Sequence, residues 1–228
     1  MSTPDLPPGR APRSEWALLL LSAASGAADA FVFVCVGQVF AGVMTGNLVL
    51  LGASAVGVGE QGVALRVITS LGSYGVGVAC SAWMGERLRW PLPVMLLIEV
   101  TLLAAGAVLW ALEPVDGGVR LGLLSLFALA MGIQSRLRAT PTNYFTGTLT
   151  SLVSRVTLRS QSREDRWVAG RLIAVVAGAA VTALVVRVWP GAAASVAVAP
   201  VLGALLIESA PRWSSGGRSH QSRRTRAR

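Results

Sequence analysis

Charge is scarce in this chain. Only 14% of its residues are charged and 53% are hydrophobic, with a mean hydropathy of +0.61, where a soluble domain carries about 25% charged residues. An ordinary water-facing surface is thereby excluded. Apolar runs of about 20 residues, the length a bilayer core demands, take up most of the 228 residues and leave no room for a separate soluble domain. Histidine is nearly missing too. His220, the single one, falls in the polar C-terminal stretch, so histidine-based catalysis or metal binding inside the apolar runs is excluded. Cysteine is limited to Cys35 and Cys80, both within apolar runs. Neither a disulfide framework nor a zinc cluster follows, and both read as small buried hydrophobes.

Lysine is absent: all 20 basic residues are arginine, and the net charge is +9. Such a balance first raises nucleic acid as a partner. Position argues against it. Most arginines sit in short segments between apolar runs and in the tail, where they orient a membrane protein by the positive-inside rule. No specific nucleic-acid partner is expected. No paired carboxylates, Ser/His/Asp set, phosphate loop or metal motif stands at useful spacing. An enzyme is therefore the least favoured class, and no cofactor is expected.

Residues 1–14 are polar and proline-rich, and residues 212–228 are built of Ser, Gly and Arg; both are expected to be disordered tails. The second is expected to meet anionic lipid headgroups. Between them, 15–211 reads as one transmembrane domain with spans at 16–36, 63–84, 92–112, 121–136, 167–186 and 192–207. Arg10 and Arg13 precede the first run, but it continues past any plausible cleavage point and reads as a retained span. Two segments are ambiguous. They are 39–58, carrying Thr45-Gly46-Asn47, and 142–158, carrying Thr146-Gly147-Thr148.

Superposing these two exposes an internal repeat. MTGNLVLLG at 44–52 matches FTGTLTSLV at 145–153, ASGAAD at 24–29 matches AMGIQS at 130–135, and VALRVI at 63–68 matches VAGRLI at 168–173. The offsets are 101, 106 and 105 residues, in one order. The halves, about 16–112 and 121–208, share a plan. If neither ambiguous segment crosses, six spans place 16 of the 20 arginines on the cytoplasmic side together with both termini. The rival eight-span plan moves Arg87, Arg89, Arg136 and Arg138 to the outer side, against the positive-inside rule. Three crossings per half then invert the second half relative to the first. The expected fold is an all-α polytopic bundle of six spans plus two re-entrant half-membrane segments in an inverted 3+3 repeat.

A chain reversal at membrane depth needs protein or water around its backbone. Gly46 and Gly147 supply the backbone freedom, while Thr45 and Thr146 are expected to cap the helices that follow. Two helix starts meeting near the midplane would favour an anionic group. A substrate site is expected at Thr45, Gly46, Asn47, Thr146, Gly147, Thr148 and Gln134. The plainer reading makes the triplets packing contacts in unbroken helices. Asp29 and Glu99, buried carboxylates in apolar runs, are candidate ion-coupling groups. Arg66 and Arg171 occupy matching places in the repeat and are expected to form structural ion pairs or to snorkel. Gly77-Ser81-Gly85 and Gly170-Ala174-Gly178 are small-residue ridges for helix packing.

The Gly26-Asp29-Ala30 element, Met44 to Asn47 with Gly52, and Met131-Gly132-Gln134 with Thr146 to Thr148 resemble the YoaK-like family of bacterial integral membrane proteins, a domain of unknown function. Members often carry Asn after that Gln, whereas here it is Ser135. The resemblance implies a multi-pass bacterial inner-membrane protein and no particular substrate. Two functions remain: a small secondary transporter or permease of an unidentified solute or ion, and a non-transporting scaffold or accessory subunit. Partners are the lipid bilayer and, compatibly with either function, further copies of the chain.

Overall fold

A computed structural model describes residues 12–112, 116–137, 145–158 and 163–210. The tail segments 1–11 and 212–228 lie outside the described residues. The regular elements among the described residues are all helical: α1 (Pro12–Phe31), a π-helical turn (Val32–Gly37), α2 (Met44–Ala55), α3 (Val63–Glu86), α4 (Leu92–Leu112), α5 (Gly117–Ser135), α6 (Phe145–Thr157), α7 (Arg163–Val188), a 3-10 turn (Pro190–Ala197) and α8 (Val198–Ser209). No strand occurs among the described residues.

Among the described residues, six stretches are long and apolar enough to cross a membrane: Arg13–Gly37, Val63–Glu86, Leu92–Leu112, Gly117–Ser135, Asp165–Val188 and Pro190–Ser209. They mark an integral, multi-pass membrane protein. The short helices α2 and α6 hold 12 and 13 residues. At about 1.5 Å per residue such helices reach only roughly 18–20 Å, against a hydrocarbon core of roughly 30 Å. Among the described residues, six helices thus have the length of a span and α2 and α6 do not. Boundaries differ from expectation where local signals override hydropathy. The fourth span opens at Gly117 because the Asp116 side chain caps it, accepting from the Val119 N–H at 2.8 Å. The sixth opens as a 3-10 turn at Pro190, whose fixed φ suits a helix start.

Packing is set by small residues. A Cβ added at Gly26 of α1 would fall onto the Val175 carbonyl of α7, and one at Gly178 would fall onto the Ala23 carbonyl of α1. The α3–α5 contact is built the same way: Gly132 lies on the Tyr74 carbonyl and Gly77 on the Leu129 carbonyl. Backbone-to-backbone approach of this kind is how helices associate in lipid, where the hydrophobic effect does not drive them together. α4 fills the space between α5, the 3-10 turn and α8, while α8 also packs on α1. Phe31 and Phe127 join α1 to α5 at the core, their rings 5.0 Å apart.

Hydrogen bonds align the helix ends. Arg13 donates to the Ile207 carbonyl and Arg136 pairs with Glu86 at 2.9 Å, while Gln134 near the end of α5 donates to the Leu21 carbonyl in the first half of α1. Those ends share one face of the bundle. At the other face the Trp110 ring N–H donates to the Pro190 carbonyl at 2.8 Å.

Candidate functional site

The first span does not run smoothly into α2. After the π-helical turn, Gln38 takes a left-handed conformation (φ 56°), and 38–43 is irregular before α2 begins at Met44. Val39, Ala41 and Gly42 in this stretch are nonetheless buried. Buried irregular backbone must find partners, since an unmade hydrogen bond costs about 1–3 kcal/mol. Three side chains supply them. Asp29 accepts from the Gly42 N–H at 2.7 Å, and the N–H groups of Ala41 and Val43 are also directed at its carboxylate. Asn47 closes a ring with Phe40, accepting from its N–H at 2.9 Å and donating to its carbonyl at 2.8 Å. Its second amide proton reaches Ser70 Oγ at 3.1 Å, and Ser70 donates to the same Phe40 carbonyl at 2.6 Å.

The break is thus a knot tied across three elements. Asp29 on α1, Asn47 on α2 and Ser70 on α3 hold one six-residue stretch. Gly46 leaves room for the Phe40 ring, which a Cβ there would approach to 3.1 Å. That ring stacks in turn on Phe33, with centroids 4.9 Å apart.

Several expectations change against this geometry. Thr45 is not the helix cap: Val43 holds that position with no side-chain cap, and Thr45, already inside the helix, is exposed. Asp29 meets backbone N–H groups rather than an arginine. Arg66 turns instead to Glu60 at 3.0 Å and to the Gln61 carbonyl, with its stem laid over Gly37. Arg171 is half-buried on α7. Cys80 is exposed, because it faces away from the buried stripe of Gly77 and Ser81 on α3, while Cys35 is partly buried. Ser70 and Phe40 were missed by sequence reading. Ser70 had one available signal, its place on the buried α3 stripe of Val63, Val67, Ser70, Gly77, Ser81 and Met84.

In the second half, α6 begins at Phe145, so the Thr146-Gly147-Thr148 triplet also stands at a helix start. The preceding loop 138–144 and the side chains of Thr146 and Thr148 lie outside the described residues. An Arg155–Asp165 ion pair at 2.6 Å fastens α6 to α7. Gln134 is fully buried beside Ser135, which donates to its own helix at the Gly132 carbonyl.

Glu99 is a different case. It lies within one turn of the middle of α4, its side chain is fully buried, and neither carboxylate oxygen has a hydrogen-bond partner among the described residues. Asp29 and Glu99 therefore do not form one cluster. No group of three or more His, Cys, Asp or Glu that could hold a metal occurs among the described residues. An open apolar groove of about 450 Å³ lies between α3 and α5, lined by Ile68, Gly72, Val76 and Leu129 among others, away from these residues.

Six apolar spans and a buried, side-chain-tied break in the chain define a polytopic helical membrane protein. Residues 17–207 match the family described as "Protein of unknown function (DUF1275)". The chain belongs to that family. No curated protein and no solved structure matches it.

Proposed function

We propose that this chain is a small secondary transporter of the bacterial inner membrane, built as an inverted 3+3 repeat with both termini cytoplasmic. The observation that carries the reading is the buried break at 38–43, whose backbone is held by Asp29, Asn47 and Ser70. Irregular backbone at membrane depth is the common building block of transporter sites. The packing supports the repeat. Gly26 and Gly132 are 106 residues apart and rest on carbonyls 101 residues apart, at Val175 and Tyr74; Gly178 and Gly77 repeat those offsets with Ala23 and Leu129. An exchange of halves that maps α1 onto α5 and α3 onto α7 thus maps each contact onto the other. It also revises the register: the offset of 101 runs on through α7, so Arg171 corresponds to Ser70 and Arg66 to Trp167.

The solute site falls at the two helix starts. Asn47 and Asp29 serve as its frame, because their polar atoms are engaged by the loop. Thr45 and Gly46 face the solute with their own N–H groups, those of Met44 and Asn47 being taken by the Gly42 and Val43 carbonyls, and Thr146, Gly147 and Thr148 join from the other half with Gln134 between. Free first-turn N–H groups favour an anion or the anionic end of a solute. The resemblance to YoaK-like proteins fits a multi-pass inner-membrane protein and leaves the solute open. The described arginines agree with the orientation: Arg13, Arg87, Arg89, Arg136, Arg155 and Arg166 lie toward the face shared by the start of α1 and the ends of α3 and α5, and Arg66, Arg120 and Arg187 toward the other.

The test uses single cysteines at Thr45 and Gly147 in a chain lacking Cys35 and Cys80, labelled in sealed vesicles by a membrane-impermeant maleimide, together with flux of small anions. Transport predicts that Thr45 is reached from the outside, Gly147 from the inside, and that an added anionic solute protects both. Labelling of neither position, with no flux and one stoichiometric copurifying protein, would replace the transporter with a scaffold.

A further inference from the structure

Glu99 is left over from the site just described. It sits near the middle of α4, fully buried, and both carboxylate oxygens lack a partner among the described residues. Its helix neighbours on the same buried face are Leu96, Val100 and Leu103. The elements packed against α4 are α5, the 3-10 turn and α8. Their charged groups, Asp116, Arg120 and Arg136 around α5 and Glu208 on α8, stand at helix ends, and the 3-10 turn carries none. A bare charge in such a place is unstable by far more than a folded protein can offset. The carboxyl is tolerable only when something neutralises it. A metal cation needs several oxygen ligands, and the apolar residues on this face offer none. A proton needs no other ligand.

We propose that Glu99 is a proton-carrying site at the centre of the bundle, filled in the conformation seen here and emptied when α4 parts from α5 and α8. On opening, water enters, the Glu99 O–H bond breaks, the proton leaves on water, and the carboxylate remains, solvated. Closing requires the reverse. The inference deepens the transporter reading, on which it rests for its purpose, and of the two candidate coupling carboxylates it keeps Glu99. Asp29 is engaged by backbone N–H groups in the loop it anchors, so its carboxyl serves to hold that loop. Glu99 has no such ties.

The experiment is pH-difference infrared spectroscopy of the full chain in lipid films, read at the carbonyl stretch of a protonated carboxylic acid. The expected result is a band that disappears as pH rises, is abolished in Glu99→Gln and is unchanged in Glu86→Gln, an exposed control. Thermal unfolding of Glu99→Gln in detergent should match the parent, since the amide replaces a carboxyl that has no partner to lose. A band that survives Glu99→Gln overturns the proposal, and so does a Glu99 band that never titrates while the fold persists. Solute flux is scored separately. A titrating Glu99 in a chain that moves no solute keeps the proton site and removes the transporter reading, whereas flux without titration does the opposite.

Discussion

At the scale of single residues, Asn47 shows how much one side chain can decide. Its amide copies a backbone partner for Phe40, taking the N–H and supplying a donor to the carbonyl, from a fully buried position. Asn47→Ala leaves the Phe40 N–H without a partner and its carbonyl with Ser70 alone, a cost of about 2–3 kcal/mol. Thermal unfolding in detergent should show the drop, and amide hydrogen exchange should show Phe40 and Gly42 losing protection first. Asp29 separates acceptor from charge. Asp29→Asn keeps an oxygen facing Gly42 and is expected to cost less than about 1.5 kcal/mol, whereas Asp29→Ala removes every acceptor and costs about 2–4 kcal/mol. Equal losses in the two variants would assign the role to charge. The sequence made Asp29 and Asn47 visible, because polar residues in an oily run stand out. It could not say that they face backbone, since hydrogen-bond partners 13 and 7 residues away depend on the fold.

At the scale of elements, the order and approximate length of the spans were legible and their edges were not. A run of about 20 apolar residues announces a span, whereas the reading of 39–58 as a non-crossing segment rested on the placement of the arginines. The cap at Asp116 and the 3-10 opening at Pro190 turn on individual side-chain and φ geometry, which hydropathy averages away. The small-residue ridges were readable as packing surfaces, though not which helices they join. Their contacts set a sharp expectation. Gly26→Ala and Gly132→Ala each drive a Cβ into a carbonyl on a neighbouring helix, where backbone cannot swing aside, and each should cost at least about 2 kcal/mol. Gly72→Ala adds a methyl to open space and should be neutral or stabilise by up to about 1 kcal/mol. Unfolding midpoints of the three variants settle it. The contact of α6 with α7 is lighter. Arg155→Ala removes its ion pair with the mostly buried Asp165, and hydrogen exchange should rise along α6 while the global midpoint moves by less than about 1 kcal/mol.

At the scale of the whole molecule, the charges and the helix directions have to agree. Six crossings return the chain to the side on which it entered, so α1 begins and α8 ends at one face, as the Arg13 bond to Ile207 shows. The Arg136–Glu86 pair puts the ends of α5 and α3 together, and Gln134 ties α5 to the entering half of α1. All three join at the arginine-richer face. Under the positive-inside rule that face is the proposed cytoplasmic one. Single cysteines at Glu60, Leu88 and Asp116, in a chain lacking Cys35 and Cys80, turn the statement into a measurement on intact cells with an impermeant maleimide. Positions 60 and 116 should label from outside and 88 only after the membrane is opened. If α2 crossed, 60 would lie inside and 88 outside, the reverse pattern at both sites. Labelling all three from one side would break the link between helix direction and arginine placement, and with it the opposed access of Thr45 and Gly147 on which alternating transport depends.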